Sequence, residues 1–271
     1  MLIWVDGRPA ELLSVKDRGL AYGDGLFETI AVSAGHPILF ERHMQRLAEG
    51  CRRLAIPLDE PGVRQQLLDF CQLVGQGVCK LILTRGDGQR GYASPNPSVP
   101  RLILQAAPKP VYPQSNAEQG VRLFPCLTRL AEQPLLAGLK HLNRLEQVLA
   151  RDEWQDTEHA EGLMRDVSGR VIEGVYSNLL MVIDGALVTA ELSRCGVAGV
   201  MRAELLAQAE KHGIVCQVRD ISYDELLAAD EVMLCNSLYG VWPVRALLTH
   251  DWPVGALTRK LQAIAQNILD C

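Results

Sequence analysis

Apolar and polar positions alternate along this chain in two distinct rhythms. In "LFERHMQRLAEGCRRLAI" (39–56), Met44, Leu47, Cys51 and Leu54 recur every three to four residues, the spacing of an amphipathic helix. "LIWVDGRPAELL" (2–13) reads as a hairpin around Asp6-Gly7, while "KLILTRG" (80–86) and "RLILQAA" (101–107) are short apolar strands. The helical rhythm returns in Leu142, Leu145, Val148 and Leu149. Strands are expected at "VIEGVYSNLLMVID" (171–184), "ALVTA" (186–190), "GIVCQVRDI" (213–221) and "EVMLCNS" (231–237). Helices are expected from about Met201 to His212, at "YDELLAA" (223–229) and at the end of the chain. Six of the fourteen prolines fall between Pro95 and Pro113. Those at 108, 110 and 113, with Ser115 and Asn116, suggest a linker. The expected organisation is a small α+β domain over 1–106, a linker over 107–119, and a larger domain over 120–271.

Composition narrows the class. With 271 residues, 48% hydrophobic and 22% charged, the chain can bury a substantial core. A formal net charge of −5 argues against a nucleic-acid binder, which needs clustered Lys and Arg, and favours a small-molecule partner. The eight cysteines (51, 71, 79, 126, 195, 216, 235, 271) form no CxxC pairs and show no metal-ligand spacing, so no metal site is expected. Several lie in apolar runs and read as reduced core thiols of a cytoplasmic protein. The start of the chain lacks the basic-then-apolar pattern of a signal peptide, and no apolar run reaches membrane-spanning length.

Chemistry enters through "LAGLKHLNRLEQVLAR" (136–151), where Lys140 stands between the flexible Ala137-Gly138 and the helical run. A lone lysine is most often a solvated surface residue whose stem covers apolar neighbours. Held rigidly and partly desolvated, it can act as a base or as a nucleophile toward a carbonyl. "GLAYGDGLFE" and "TRGDGQRGY" contain neither GxGxxG after a strand nor a Walker lysine, and read as turns. "CGVAGVMRAELL" places Gly196 and Gly199 immediately before a helix, which is either an ordinary helix start or a ready anion site.

"LKHLNRLEQVLAR", Glu173 in "VIEGVYSNL" 33 residues after the lysine, "GVAGVMR" and "CNSLYGVWPV" together resemble the fold-type IV pyridoxal-phosphate enzymes, which include the branched-chain and D-amino-acid aminotransferases. The likeness runs from "DRGLAYGDGLFETI" to "WPVRAL". "KHLNRLEQVLAR" and "TRGDGQRGY" most resemble the 4-amino-4-deoxychorismate lyases within that superfamily. The resemblance implies a mixed α+β and α/β, two-domain, D-amino-acid-aminotransferase-like architecture with pyridoxal 5'-phosphate as cofactor. It also implies a homodimer with no nucleic-acid or membrane partner. Lys140 would hold the cofactor covalently and move protons beside the substrate carbon. Glu173 would pair with the pyridine nitrogen. Arg46, the backbone of Val200 and Met201, and Ser237 with its neighbour Asn236 would hold the phosphate. Without the resemblance, Arg46 reads as part of a solvated helix face shared with Arg42, Arg52 and Arg53, and Glu173 as a surface glutamate in a turn.

Arg90 and Tyr92 in "GQRGY" fall where D-amino-acid aminotransferases carry an arginine and a histidine for the substrate carboxylate, tyrosine here replacing histidine. His141, Asn143 and Arg144 are expected as supports at most. The implied substrate is aminodeoxychorismate, split to p-aminobenzoate and pyruvate. An aminotransferase on the same scaffold is the alternative.

Overall fold

The computed structural model describes residues 2–270, and their contacts form two units. The first comprises residues 2–110 together with Leu139–Asn143, and the second Val111–Gly138 with Arg144–Asp270. The short segment carrying Lys140 therefore belongs to the first unit, whereas the sequence suggested the larger C-terminal one. Cys271 lies outside the described residues. The other seven cysteines are free thiols, all buried except the half-buried Cys216. Burial pushes Cys51, Cys126, Cys195 and Cys235 up to about 12, so they stay unreactive at neutral pH.

In the first unit, β1 (Ile3–Val5) and β2 (Arg8–Pro9) form the expected hairpin. Asp6 and Gly7 both take left-handed backbone, φ 51° and 77°, which fits a two-residue turn to the strand twist. Then follow α1 (Arg18–Tyr22), β3 (Gly25–Ser33), β4 (His36–Pro37), α2 (Phe40–Leu54), α3 (Glu60–Val74), β5 (Gly77–Thr84) and β6 (Arg101–Ala107). The strands pair antiparallel in the order β2-β1-β6-β5-β3-β4. The apolar stripe of α2 buries Met44, Leu47 and Cys51, and α3 buries Val63, Leu67, Phe70 and Cys71. Phe70, fully enclosed, meets Trp4 edge-on at 5.4 Å, and burying a side chain of that size stabilises by roughly 1.5–3 kcal/mol.

The second unit holds α4 (Gln114–Glu118), β7 (Val121–Leu130), α5 (Leu145–Arg151), β8 (His159–Asp166), β9 (Val171–Gly174), β10 (Asn178–Ile183), β11 (Ala186–Ala190) and α6 (Val200–Lys211). It continues with β12 (Cys216–Arg219), α7 (Tyr223–Leu227), β13 (Glu231–Asn236), β14 (Gly240–Leu247), β15 (His250–Asp251) and α8 (Ala256–Leu269). Its sheet runs β12-β11-β10-β13-β14-β7-β8-β9, and a β9–β10 pairing closes the path from β10 round to β9 into a ring. β10 and β13 are buried on both faces, α6 packing against β13 and α8 against β13 and β14. That double cover explains their near-continuous apolar runs.

Three expectations change in detail. The stretch assigned to a linker contains α4, placed against β7 and β14. The helical run after Lys140 begins only at Leu145, so the lysine lies outside it, in a non-helical segment bridged to β3 at His141. "VIEGVYSNLLMVID" is two antiparallel strands, since the chain reverses over 174–177.

A buried carboxylate causes that reversal. Glu161 Oε1 accepts from the N–H groups of Gly162 (2.9 Å) and Val175 (3.0 Å), and Oε2 from Tyr176 N–H (3.3 Å) and Ser177 Oγ (2.7 Å). Gly174 completes the turn because a Cβ there would stand 2.3 Å from Ser177 Oγ. Complete burial outweighs these donors and pushes the Glu161 carboxyl up to about 7. Between its ordinary value of 4.5 and about 7, the folded state retains a proton that the unfolded chain has released, so stability falls as pH rises through this window and then levels. Glu161→Gln removes that titration. The Tm of Glu161→Gln relative to the parent protein should rise between pH 5 and pH 7.5, by an amount on the order of a few kcal/mol in stability. A pH-independent difference in thermal melts would show that Glu161 titrates like a solvated carboxyl.

Candidate active site

Strand pairing, not a helix, fixes Lys140. Phe27 N–H donates to the Lys140 carbonyl (2.9 Å), Leu142 N–H donates to the Gly25 carbonyl (3.0 Å), and His141 bridges Leu26. Leu139, just before the lysine, is buried in the core of the first unit. Asn143 Nδ2 donates to the Gly23 carbonyl (3.1 Å), supporting the segment at its far end. The Lys140 side chain is half-buried, with Nζ 4.4 Å from the centroid of the Phe27 ring. By contrast, Lys80 on β5 is exposed.

A buried ion cluster joins Arg46 to Glu28 and His43, two residues the sequence did not mark out. Glu28 on β3 accepts from Arg46 Nε (2.8 Å) and from its Nη2, making a forked contact. His43 Nδ1 lies 2.6 Å from Glu28 Oε2. Burial raises the Glu28 carboxyl, but Arg46 and His43 overcome it and hold the group at about 2. The depressed value stabilises the fold above the ordinary carboxylate range and is lost as pH falls toward 2. Burial and the nearby Arg46 and Lys140 charges depress His43 despite Glu28, which suits a neutral ring donating from Nδ1. Arg46 is thus not on a solvated helix face. The available signal was the spacing His43-x-x-Arg46 on one face of α2, opposite a glutamate inside an apolar strand.

In the second unit, Glu173 is buried at the end of β9, and its Oε2 accepts from Val197 N–H (2.8 Å). Asn178, paired with Glu173 across the strands, donates from Nδ2 to the Val197 carbonyl (2.8 Å). Both polar groups of one peptide residue are thereby held by two strand residues, setting the approach to α6. Gly196 takes φ 81°, and a Cβ on Gly199 would stand 1.9 Å from Asn178 Oδ1, so each glycine is required where it stands. α6 opens at Gly199 with no side-chain cap, presenting the amides of its first turn, those of Val200 and Met201 among them. In the same turn, Arg202 is buried, donating from Nε to Thr189 Oγ1 (3.1 Å) and from Nη2 to the Ala190 carbonyl (2.9 Å).

Asn236 serves its own turn: Oδ1 accepts from the N–H groups of Leu238 (2.9 Å) and Tyr239 (3.0 Å), and Nδ2 donates to the Tyr176 carbonyl (3.4 Å). Its amide shapes the loop that presents the half-buried Ser237. Arg90 and Tyr92 are exposed on the loop between β5 and β6, with Tyr92 at 87% exposure.

No helix among the described residues is long and apolar enough to cross a membrane, and no cluster of metal-ligating side chains occurs among them. A family model described as amino-transferase class IV matches residues 25–247, from the first residue of β3 to the last of β14. The aminodeoxychorismate lyase of Vibrio harveyi is 38% identical over 270 residues, covering 96% of this chain and 98% of that protein. The crystal structure of 4-amino-4-deoxychorismate lyase from Pseudomonas aeruginosa matches with a TM-score of 0.98 and 67% identity over 100% of both chains. A D-alanine aminotransferase of Bacillus licheniformis is 27% identical, covering 94% of this chain and 91% of that one. The architecture and these matches agree: this chain belongs to the class IV aminotransferase family.

Proposed function

We propose that this chain is a pyridoxal-phosphate-dependent lyase converting 4-amino-4-deoxychorismate to p-aminobenzoate and pyruvate, a step of folate synthesis. The observation that carries the reading is the 67% identity over the full length of the Pseudomonas aeruginosa lyase. The chemistry of the donor set suits the cofactor: an amine at Lys140, a buried carboxylate at Glu173, a guanidinium at Arg46 and the uncapped start of α6. Pyridoxal phosphate, when bound, supplies an aldehyde carbon for amines and a ring that accepts the electron pair of a broken C–H bond.

Lys140 would hold the cofactor through its amine, and the same amine, when free, would take the proton from substrate C4. The C–O bond to the enolpyruvyl group then breaks, the ring becomes aromatic, and Lys140 returns its proton to the departing group, which leaves as pyruvate. Phe27 beside the lysine limits its reach to a small volume. Glu173 holds the proton on the pyridine nitrogen, its position fixed by Val197 N–H. Arg46, the amides of Val200 and Met201, and the Ser237 hydroxyl bind phosphate, with Asn236 acting through the turn it builds. Arg90 and Tyr92 receive substrate carboxylate. We read the protein as cytoplasmic and homodimeric. The exposed Leu145, Val148 and Leu149 of α5 support the latter as an apolar stripe suited to a second copy.

Borohydride treatment of the holoenzyme should fix the cofactor to the peptide containing Lys140, and Lys140→Ala should lose the label and about 10²–10⁴-fold in turnover. Label on Lys80 or Lys211 would overturn the assignment. Purified enzyme given aminodeoxychorismate should release p-aminobenzoate and pyruvate in equal amounts with no added keto acid, because the amino group stays on the aromatic product. A stoichiometric requirement for 2-oxoglutarate would replace the lyase with an aminotransferase.

Cofactor retention and cofactor electronics should separate. Glu173→Gln should keep the cofactor through dialysis while slowing the chemical step. Arg46→Ala should release the cofactor and also strand Glu28, costing roughly 3–5 kcal/mol of stability. Arg46→Lys keeps a charge near Glu28 and should recover most of the stability but only part of the retention. Equal losses of retention and of rate in the Glu173 and Arg46 variants would count against the division of roles.

A further inference from the structure

The segment carrying Arg90 and Tyr92 is wrapped around a buried arginine. Arg18, only 4% exposed at the start of α1, donates from Nη1 to the carbonyls of Gly91 (3.1 Å) and Ala93 (3.2 Å) and from Nη2 to that of Tyr92 (3.0 Å). Its Nε donates to Asp24 Oδ2 (2.9 Å). Three successive carbonyls converge on one guanidinium because Gly91 adopts φ 108°, which side-chain-bearing residues avoid. The arginine stem passes Gly88, where a Cβ would stand 2.8 Å from Arg18 Cδ. The Arg18 guanidinium lies over the Tyr22 ring (4.9 Å), the Tyr22 ring packs against that of Tyr92 (5.5 Å), and Gly91 N–H donates to the Tyr22 hydroxyl (3.3 Å).

The charge balance makes this contact more than incidental. Asp24 is shared with Arg85, whose Nε donates to the same Oδ2 (2.8 Å). Two buried guanidinium groups thus rest on one carboxylate. Arg85 completes its shell with the carbonyls of Leu54 (2.7 Å) and Ala55 (2.8 Å), and Arg18 does so with those of residues 91–93. Moving the loop would leave Arg18 buried with half a counter-ion, which is costly, so the arginine and the loop hold each other in place.

We propose that Arg18 is a positioning residue: it fixes the backbone of 91–93, sets where the Arg90 and Tyr92 side chains begin, and thereby governs substrate binding. The substrate part rests on the reading above that Arg90 and Tyr92 receive carboxylate. The loop part does not.

Two readouts on the holoenzyme test it. Trypsin cleavage after Arg90, followed by mass spectrometry, reports loop order without substrate. Arg18→Ala should speed that cut by about tenfold or more, and Arg18→Lys, which lacks the planar fork, should restore it only in part. Steady-state kinetics should show KM for aminodeoxychorismate raised on the order of tenfold in Arg18→Ala, kcat within about threefold, and an unchanged cofactor spectrum. Arg90→Ala should cut kcat/KM by about ten- to a hundredfold, and adding Arg18→Ala to it should change little further, because both act through one group. Gly88→Ala keeps the arginine and only crowds its stem. It should give the same signature in milder form, and it serves as the test if Arg18→Ala fails to fold. Unchanged cleavage after Arg90 in Arg18→Ala and Gly88→Ala would overturn the proposal, as would multiplicative KM effects in the double variant of Arg18→Ala with Arg90→Ala. Faster cleavage with KM unchanged in both Arg18→Ala and Arg90→Ala would uphold the clamp and remove the substrate role from Arg90.

Discussion

A carboxylate inside a sheet must be satisfied where it stands, and Glu28 imposes that condition on the first unit. Its partners, His43 and Arg46, lie one turn apart on α2, so the helix cannot rotate or slide on β3 without exposing an unpaired charge to an apolar core. The residue before Glu28 is Phe27, whose N–H holds the Lys140 carbonyl and whose ring lies against the lysine amine. The position of the Lys140 amine therefore follows from a buried charge on the next residue of β3. An apolar residue at 28 would remove the burial penalty but also the fork that sets the orientation of Arg46.

The second unit solves the same problem with backbone donors. Glu173 and Asn178 grip the N–H and carbonyl of Val197 from opposite strands, and Glu161 gathers the amides of the turn between them. Each buried carboxylate thus spends its lone pairs on a segment with no regular structure of its own. The benefit is precision: the start of α6 is placed by hydrogen bonds from a closed ring of strands, and it cannot move far without breaking the bond from Val197 N–H to Glu173.

Much of this was legible in the sequence, and the exceptions have physical causes. The hairpin at Asp6-Gly7, the helix α2 and the strands of "KLILTRG" and "RLILQAA" follow from local rhythm and turn chemistry. The break in "VIEGVYSNLLMVID" does not. Both strands are buried, so no regular alternation of polar positions marks the break, and the acceptor that bends the chain there, Glu161, lies ten residues upstream of the run. Lys140 reads as the mouth of a helix since Leu142, Leu145 and Val148 share helical spacing, yet pairing of His141 with β3 keeps residues 139–143 out of the helix and delays α5 to Leu145. Tertiary pairing outweighs propensity over a few residues. Glu28 and His43 passed unnoticed because a single polar residue in an apolar strand gains meaning only when its partner, fifteen residues away, is brought beneath it.

Of the residues proposed for cofactor chemistry, Glu173 and Asn236 stand on strands, Arg46 within α2, and Val200 and Met201 at the start of α6. Ser237 stands in the turn after β13 and Lys140 in a segment bridged to β3, whereas the residues proposed for substrate recognition stand on the exposed loop between β5 and β6. Regular elements resist displacement because each residue shares its hydrogen bonds with a neighbouring strand or turn; a loop has no such partners and must be fixed from outside. Arg18 provides the fixation by touching only main-chain carbonyls of 91–93. The clamp's hydrogen bonds run to main-chain atoms, so residue 90 can change identity without breaking them, whereas Gly91 and the Tyr22–Tyr92 ring contact are part of how the loop is held. A scaffold arranged in this way can hold one cofactor chemistry constant while its substrate contacts vary, which accounts physically for lyases and aminotransferases occurring among its relatives.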